Sequence, residues 1–285
     1  ALPIFKVVVD AVNSTGGIAV PPLLKALGVE VIELHCTPNG QFPHNPEPLK
    51  EHLGDLMEAV VAHKAHLGFV VDPDVDRLAV VDEKGAMFGE EYTLVAVADY
   101  ILSKTPGDTV SNLSSSRALR DVTQKRGGRY QASAVGEVNV VSMMKETAAV
   151  IGGEGNGGII YPELHYGRDS LVGIALFLSH LAHIDMTVSV LKASYPFYAM
   201  SKNKVALTPD LDVDRLMNTI AQTYQATESV NTVDGVKIDF EDSWVHLRKS
   251  NTEPIIRIYT EAKSQQNADD LARRFVNELK QLAGI

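Results

Sequence analysis

Cysteine is almost missing from this 285-residue chain; Cys36 is the single one. That excludes an internal disulfide and a cysteine-rich zinc site, and it suits a cytosolic protein. Long basic runs are missing too. Lys and Arg number 26 against 36 Asp and Glu, giving a net charge of −10. A nucleic-acid partner would lack the electrostatic footprint it needs. No apolar run reaches the ~18 residues of a membrane span. The start, Ala1-Leu-Pro-Ile-Phe, has no basic region and no long apolar segment, so no signal peptide is expected there. The length allows about two or three domains of ordinary size, and hydrophobic residues, 45% of the chain, are enough to build their cores.

The most informative stretch is Asp72-Pro73-Asp74-Val75-Asp76-Arg77. Phe69-Val70-Val71 leads into it and Leu78-Ala79-Val80-Val81 leads out, so both flanks read as short buried strands. Three carboxylates held this close repel one another, and a turn that keeps them together needs a cation. A hard ion such as Mg²⁺ fits, with coordination places left for water and a phosphate oxygen. A solvated acidic turn is the competing reading. Asp210-Leu-Asp212-Val-Asp214-Arg215 nearly repeats the string. It follows Thr208-Pro209 at an expected helix start, where aspartates favour the positive end of the helix dipole. No metal is expected there.

Residues 1–85 alternate strands with helices, in the order βαβαβ with a terminal hairpin. A helix is predicted from Pro21 to Leu27, and another over 49–64, where Leu49, Leu53, Leu56, Met57, Val60 and Val61 recur at helical spacing. The loop 35–48 holds Pro38, Pro43, Pro46 and Pro48, which exclude regular structure. His35, His44, His52, His63 and His66 look scattered, with none at metal-ligand spacing from an acid. Residues 86–195 repeat the style, which suggests a duplicated module. Ser114, Ser115 and Ser116 read as helix-capping residues rather than nucleophiles. Asp169 is the expected N-cap of a long apolar helix. Residues 196–285 form a distinct βαβββα unit. The expected fold class is therefore α/β, two related mixed-sheet domains followed by a smaller α+β domain.

Two further loops carry chemistry. Gly152-Gly153-Glu154-Gly155-Asn156-Gly157-Gly158 lies between two apolar strands. Its glycines allow close backbone approach to a ligand, and Glu154 with Asn156 would suit paired sugar hydroxyls. A plain hairpin is the alternative. Arg248-Lys-Ser250-Asn251-Thr252-Glu253-Pro254, with Arg257 beyond, concentrates donors that match a phosphate.

In this order the three loops resemble those of the α-D-phosphohexomutase superfamily, which includes phosphoglucomutase, phosphomannomutase and phosphoglucosamine mutase. The resemblance covers nearly the whole chain, as domains two to four of a four-domain enzyme. It implies domains at 1–85, 86–195 and 196–285, with a hinge near 195–200. It also implies phosphoryl transfer between O1 and O6 of a hexose or hexosamine phosphate. Asp72, Asp74 and Asp76 would hold Mg²⁺, with Arg77 supporting. Gly153, Glu154, Asn156, Gly157 and Arg168 would meet the sugar. Arg248, Ser250, Asn251, Thr252 and Arg257 would hold the phosphate that is not reacting.

Two departures stand out. The family's sugar loop often reads Gly-Glu-x-Ser-Gly-His, where this chain has Asn156 and Gly158. The family's phosphoserine loop is missing from these residues, so a first domain of the same protein is an expected partner. The metal turn is then expected to be a half-site that binds its ion weakly alone. Two other readings stay open: a sugar-phosphate-binding module without catalysis, and a phosphatase using Asp72 as nucleophile.

Overall fold

The computed structural model describes residues 5–206, 212–250 and 253–284. The chain divides into two compact units, Ala1–Ala132 with Gly136–Pro196, and Phe197–Ile285 with Ser133–Val135.

The first unit opens with β1 (Lys6–Asp10), α1 (Gly16–Ala26), β2 (Glu30–Leu34), a 3-10 turn (Lys50–His52), α2 (Gly54–Ala62), β3 (Leu67–Val71) and β4 (Leu78–Asp82). The sheet order is β2-β1-β3-β4. β1 runs parallel to β2 and β3, and β4 returns antiparallel. Val8, Leu53, Leu56, Val60 and Val81 fill the layer between sheet and α2, each burial contributing about 1.5–3 kcal/mol. α1 begins at Gly16, before the Pro21 start read from the sequence, and Pro21 and Pro22 lie inside it. Taking proline as a first-turn residue set the start too late. Position 17 within the helix takes glycine because a Cβ there would sit 2.2 Å from the Cys36 carbonyl oxygen.

The same unit continues with α3 (Glu90–Lys104), β5 (Thr109–Asn112), α4 (Arg117–Lys125), β6 (Tyr130–Ser133), α5 (Glu137–Thr147), β7 (Ile151–Glu154), β8 (Gly158–Ile160), α6 (Ser170–Ile184) and α7 (Val188–Ser194). Its sheet runs β6-β5-β7-β8. The plan repeats that of the first sheet, ending in an antiparallel hairpin. The two modules share a core: Phe177 of α6 meets Phe69 of β3 and Phe88 edge-on, at 6.0 and 5.2 Å. Asp169 Oδ1 caps α6 by accepting from Leu171 N and Val172 N, and Ser116 caps α4. No single helix among the described residues is long and apolar enough to cross a membrane.

The second unit holds β9 (Ala199–Ala206), α8 (Val213–Tyr224), β10 (Ser229–Asn231), β11 (Val236–Asp239), β12 (Ser243–Lys249), β13 (Ile255–Ala262) and α9 (Gln265–Ala283). One antiparallel sheet, β10-β11-β12-β13-β9, packs α8 and α9 over Ile220, Ile238, Leu247, Ile258 and Phe275. β10 adds a strand to the βαβββα expectation; three edge residues give no readable alternation. Asp212 caps α8 by accepting from Arg215 N, in line with the helix-start reading, while Asp210 lies outside the described residues.

Candidate functional site

The acidic turn closes the β3–β4 hairpin. Val71 pairs with Leu78, so residues 72–77 form the loop. Asp72 organises it: Oδ1 accepts from Asp76 N at 3.0 Å and Arg77 N at 2.9 Å. Asp72 is only 6% exposed. Burial pushes its carboxyl up to about 7, and the Asp76 and Asp74 charges push the same way against the pull of the Arg77 N–H. Carboxylate oxygens of Asp72, Asp74 and Asp76 all lie within 4.8 Å of one another. Asp76 Oδ1 is buried without a hydrogen-bond partner. Arg77 Nε stands 3.6 Å from Asp72 and 3.8 Å from Asp76. Val75 takes a left-handed backbone, φ 63°, which costs a β-branched residue about 1–3 kcal/mol. Its carbonyl accepts from Ser170 N, the first residue of α6. An all-oxygen set with an orphaned buried oxygen fits a hard divalent cation.

The glycine loop closes the equivalent hairpin of the second module. Glu154 pairs with Gly158, leaving residues 155–157 as the turn. Gly157 has φ 85°, and a Cβ there would lie 2.1 Å from the Leu78 carbonyl oxygen. Its own carbonyl accepts from Leu78 N at 3.1 Å. The glycine therefore serves the junction between modules. Asn156 Oδ1 accepts from Gly158 N, shaping the same turn. Glu154 is 5% exposed. Its Oε1 accepts from Asn112 Nδ2 and Gly136 N, and its Oε2 from Arg168 Nη1 at 2.9 Å.

Arg168 joins the two loops. Besides Glu154 it grips Asp76 Oδ2 through Nη2, while its backbone N–H donates to Glu137 Oε1. Reading the sequence singled out Arg168 without this bridge, and missed Asn112 and Glu137 as its setting. Both follow motif positions, Asn112 at a strand end and Glu137 after Gly136, but neither carries a pattern of its own. Ser115 Oγ accepts from Gly155 N, so the serine run braces the turn as well as capping α4.

In the second unit, Arg248 and Arg257 stand opposite each other on β12 and β13, and Lys204 of β9 stands opposite Arg257. Directly opposed cations repel unless an anion lies among them. Asp234 Oδ2 is 2.8 Å from Arg248 Nε and Glu253 is 3.8 Å from Arg257. A hollow of about 300 Å³ is lined by Lys202, Lys204, Arg257 and Tyr259 among others. Ser250 N donates to Ile255 O. Asn251 and Thr252 lie outside the described residues.

Residues 3–85, 89–198 and 205–278 match, in turn, the alpha/beta/alpha domain II, the alpha/beta/alpha domain III and the C-terminal domain of phosphoglucomutase/phosphomannomutase. The chain belongs to this family. A probable phosphoglucosamine mutase of Methanopyrus kandleri is 37% identical, over 95% of this chain and 61% of that protein. A phosphoglucomutase/phosphomannomutase of Thermococcus kodakarensis is 36% identical, over 92% and 58%. The crystal structure of a family protein from Burkholderia thailandensis superposes with TM-score 0.87 at 29% identity, over 98% of this chain and 60% of that one. The chain thus spans about six tenths of these phosphohexomutase relatives, here 58–61% of their length.

Proposed function

We propose that these residues form the substrate-holding part of a phosphohexomutase. The reaction moves a phosphoryl group between O1 and O6 of a hexose or hexosamine phosphate through a bisphosphate. The observation that carries this reading is the Arg168 bridge, which ties the acid turn through Asp76 to the glycine loop through Glu154. Asp72, Asp74 and Asp76 would hold Mg²⁺. When bound, that ion offsets charge on the phosphoryl oxygens.

The chain's own residues divide the remaining work. Arg77 adds positive charge beside the turn. Glu154 Oε2 has one acceptor position beyond its bond to Arg168 and would take a sugar hydroxyl. Gly153, Asn156 and Gly157 set the loop that presents Glu154. Arg248, Ser250, Asn251, Thr252 and Arg257 would hold the phosphate that is not reacting, so either end of the substrate can be offered for reaction. The nucleophile would be a phosphoserine on a domain these residues do not contain. The Asp72-nucleophile reading is weakened by the two backbone N–H groups that already tie Asp72 Oδ1.

Supplying a serine-bearing first domain from a relative, with Mg²⁺, tests the proposal. Interconversion of hexose 1- and 6-phosphates should appear only in the combination. Turnover by the 285 residues alone would refute the placing of the nucleophile. A folded, substrate-binding combination with no turnover would favour a binding module.

A further inference from the structure

The histidines that look scattered along the chain do not remain so. β1 ends at Asp10, β2 ends one residue before His35, and loop 35–48 folds back to bring His44 to the same point. His35 Nδ1 lies 3.1 Å and His44 Nε2 3.0 Å from one oxygen, Asp10 Oδ2. The sequence reading failed here because strand pairing, not spacing, makes the contact: Asp10 sits opposite Leu34. We propose that Asp10, His35 and His44 form a second metal site, for a Zn²⁺-class transition ion, separate from the Mg²⁺-type acid turn.

Three observations carry this. The first is distance. Ligand atoms on a tetrahedral ion with bonds near 2.0–2.1 Å stand about 3.3 Å apart, close to the two nitrogen-to-oxygen separations here. All three donor atoms fall within 4.8 Å.

The second is hydrogen-bond chemistry. His44 Nδ1 is 2.8 Å from the Asn45 carbonyl, which only accepts, so the proton of a neutral ring belongs on Nδ1. Nε2 then aims its lone pair at the Asp10 carboxylate. His35 also has an acceptor on each side, Asp10 Oδ2 at 3.1 Å and Asp55 Oδ2 at 3.8 Å. A cation among the three groups resolves this conflict. The N–H to the Asn45 carbonyl behind His44 is the usual outer support of a histidine ligand, and the Asp55 carboxylate lies 3.8 Å behind His35.

The third is burial. The Asp10 side chain is 1% exposed, and its ion-pair partners among the described residues are these two imidazoles. Its other oxygen accepts from Val12 N. A buried carboxylate needs a pairing charge or a metal. The rings are 19% and 14% exposed, leaving a side open to a water ligand. Two imidazoles and one carboxylate select a borderline ion such as Zn²⁺ over Mg²⁺. The ion would pin loop 35–48 to the sheet. Glu47 of that loop lies 3.9 Å from Arg77, so the pinned loop borders the acid turn.

The test is metal binding by the whole chain, independent of catalysis. The chain is stripped with chelator and titrated with Zn²⁺, or Co²⁺ as a spectroscopic probe, under millimolar Mg²⁺. One equivalent should bind, Co²⁺ should give the visible bands of a site with nitrogen ligands, and excess Mg²⁺ should not displace it. His35→Gln and His44→Gln should each weaken binding at least tenfold, while Asp74→Asn and His63→Gln should leave it unchanged. Nitrogen-15 spectra of the unaltered chain guard against misfolded variants: His35 Nδ1 and His44 Nε2 should shift on Zn²⁺ addition. Binding that survives the double His→Gln variant would overturn the proposal. So would a pair of doubly protonated rings that ignores Zn²⁺.

Discussion

The β3–β4 and β7–β8 turns occupy the same place in two copies of one plan, yet they are built by opposite means. The first is six residues long and held by a side chain, with Asp72 Oδ1 collecting two backbone N–H groups. The second is three residues long and held by backbone freedom, with Gly157 at φ 85°. The first concentrates negative charge that Arg77 of its own module offsets only in part. The second offers a carbonyl to Leu78 and positions Glu154. A duplicated scaffold thus keeps its edge while the turn chemistry diverges. Each turn is even braced alike by the preceding strand–helix loop of its own module: Thr15 Oγ1 donates to Pro73 O, and Ser115 Oγ accepts from Gly155 N.

The comparison breaks hardest at Gly157. In Gly157→Val the added carbon meets the Leu78 carbonyl at 2.1 Å in a left-handed backbone, so thermal unfolding should show a loss of about 4 kcal/mol. Arg168→Met comes next. It leaves Glu154 without its cation and Asp76 with only Arg77, 3.8 Å away, and should cost about 3 kcal/mol. Added Mg²⁺ should recover part of that loss, if the acid turn takes the ion, and calorimetry with and without Mg²⁺ would read it.

A third prediction uses the second unit as a control, since it shares neither turn. Burial pushes the His246 imidazole down to about 4, with Lys237 adding to the shift and a 2.7 Å bond to the Asp234 carbonyl opposing it. Below about pH 6.5 the unfolded chain takes up a proton that the folded one refuses. Stability should therefore fall as pH drops from 6.5 to 4, by about 3 kcal/mol, and His246→Gln should flatten the slope. A slope unchanged in that variant would remove His246 as its cause. The smallest effects are at the braces: Thr15→Val and Ser115→Ala should each cost about 1 kcal/mol. If only one does so, the two modules are less alike in energy than in plan.

Much of the fold is legible in the sequence because its signals are local. Asp169 and Ser116 cap the helices they precede, and apolar runs beside Asp72–Arg77 pair as strands. The acid turn is legible for the same reason. What escapes is whatever depends on pairing across the chain. Arg168 reaches Asp76 over 92 positions and His44 reaches Asp10 over 34, and no spacing encodes either. α7 also escapes the sequence reading. It is a seven-residue helix whose Thr187 cap stands beside nothing else distinctive. The glycines of 153–158 are visible, but their partner is not: Leu78, across the module boundary, explains Gly157.

The contact between Ser170 N and the Val75 carbonyl makes the first residue of α6 a ruler for the acid turn. Two residues upstream, Arg168 is fixed to that turn and to the glycine loop at once. Inserting one residue into this extended segment between 168 and 170 would displace the helix start from the arginine by up to about 3.5 Å. One grip or the other would then be lost. Segment length between these positions is therefore under tight constraint. Natural variants of this module should show no gaps there.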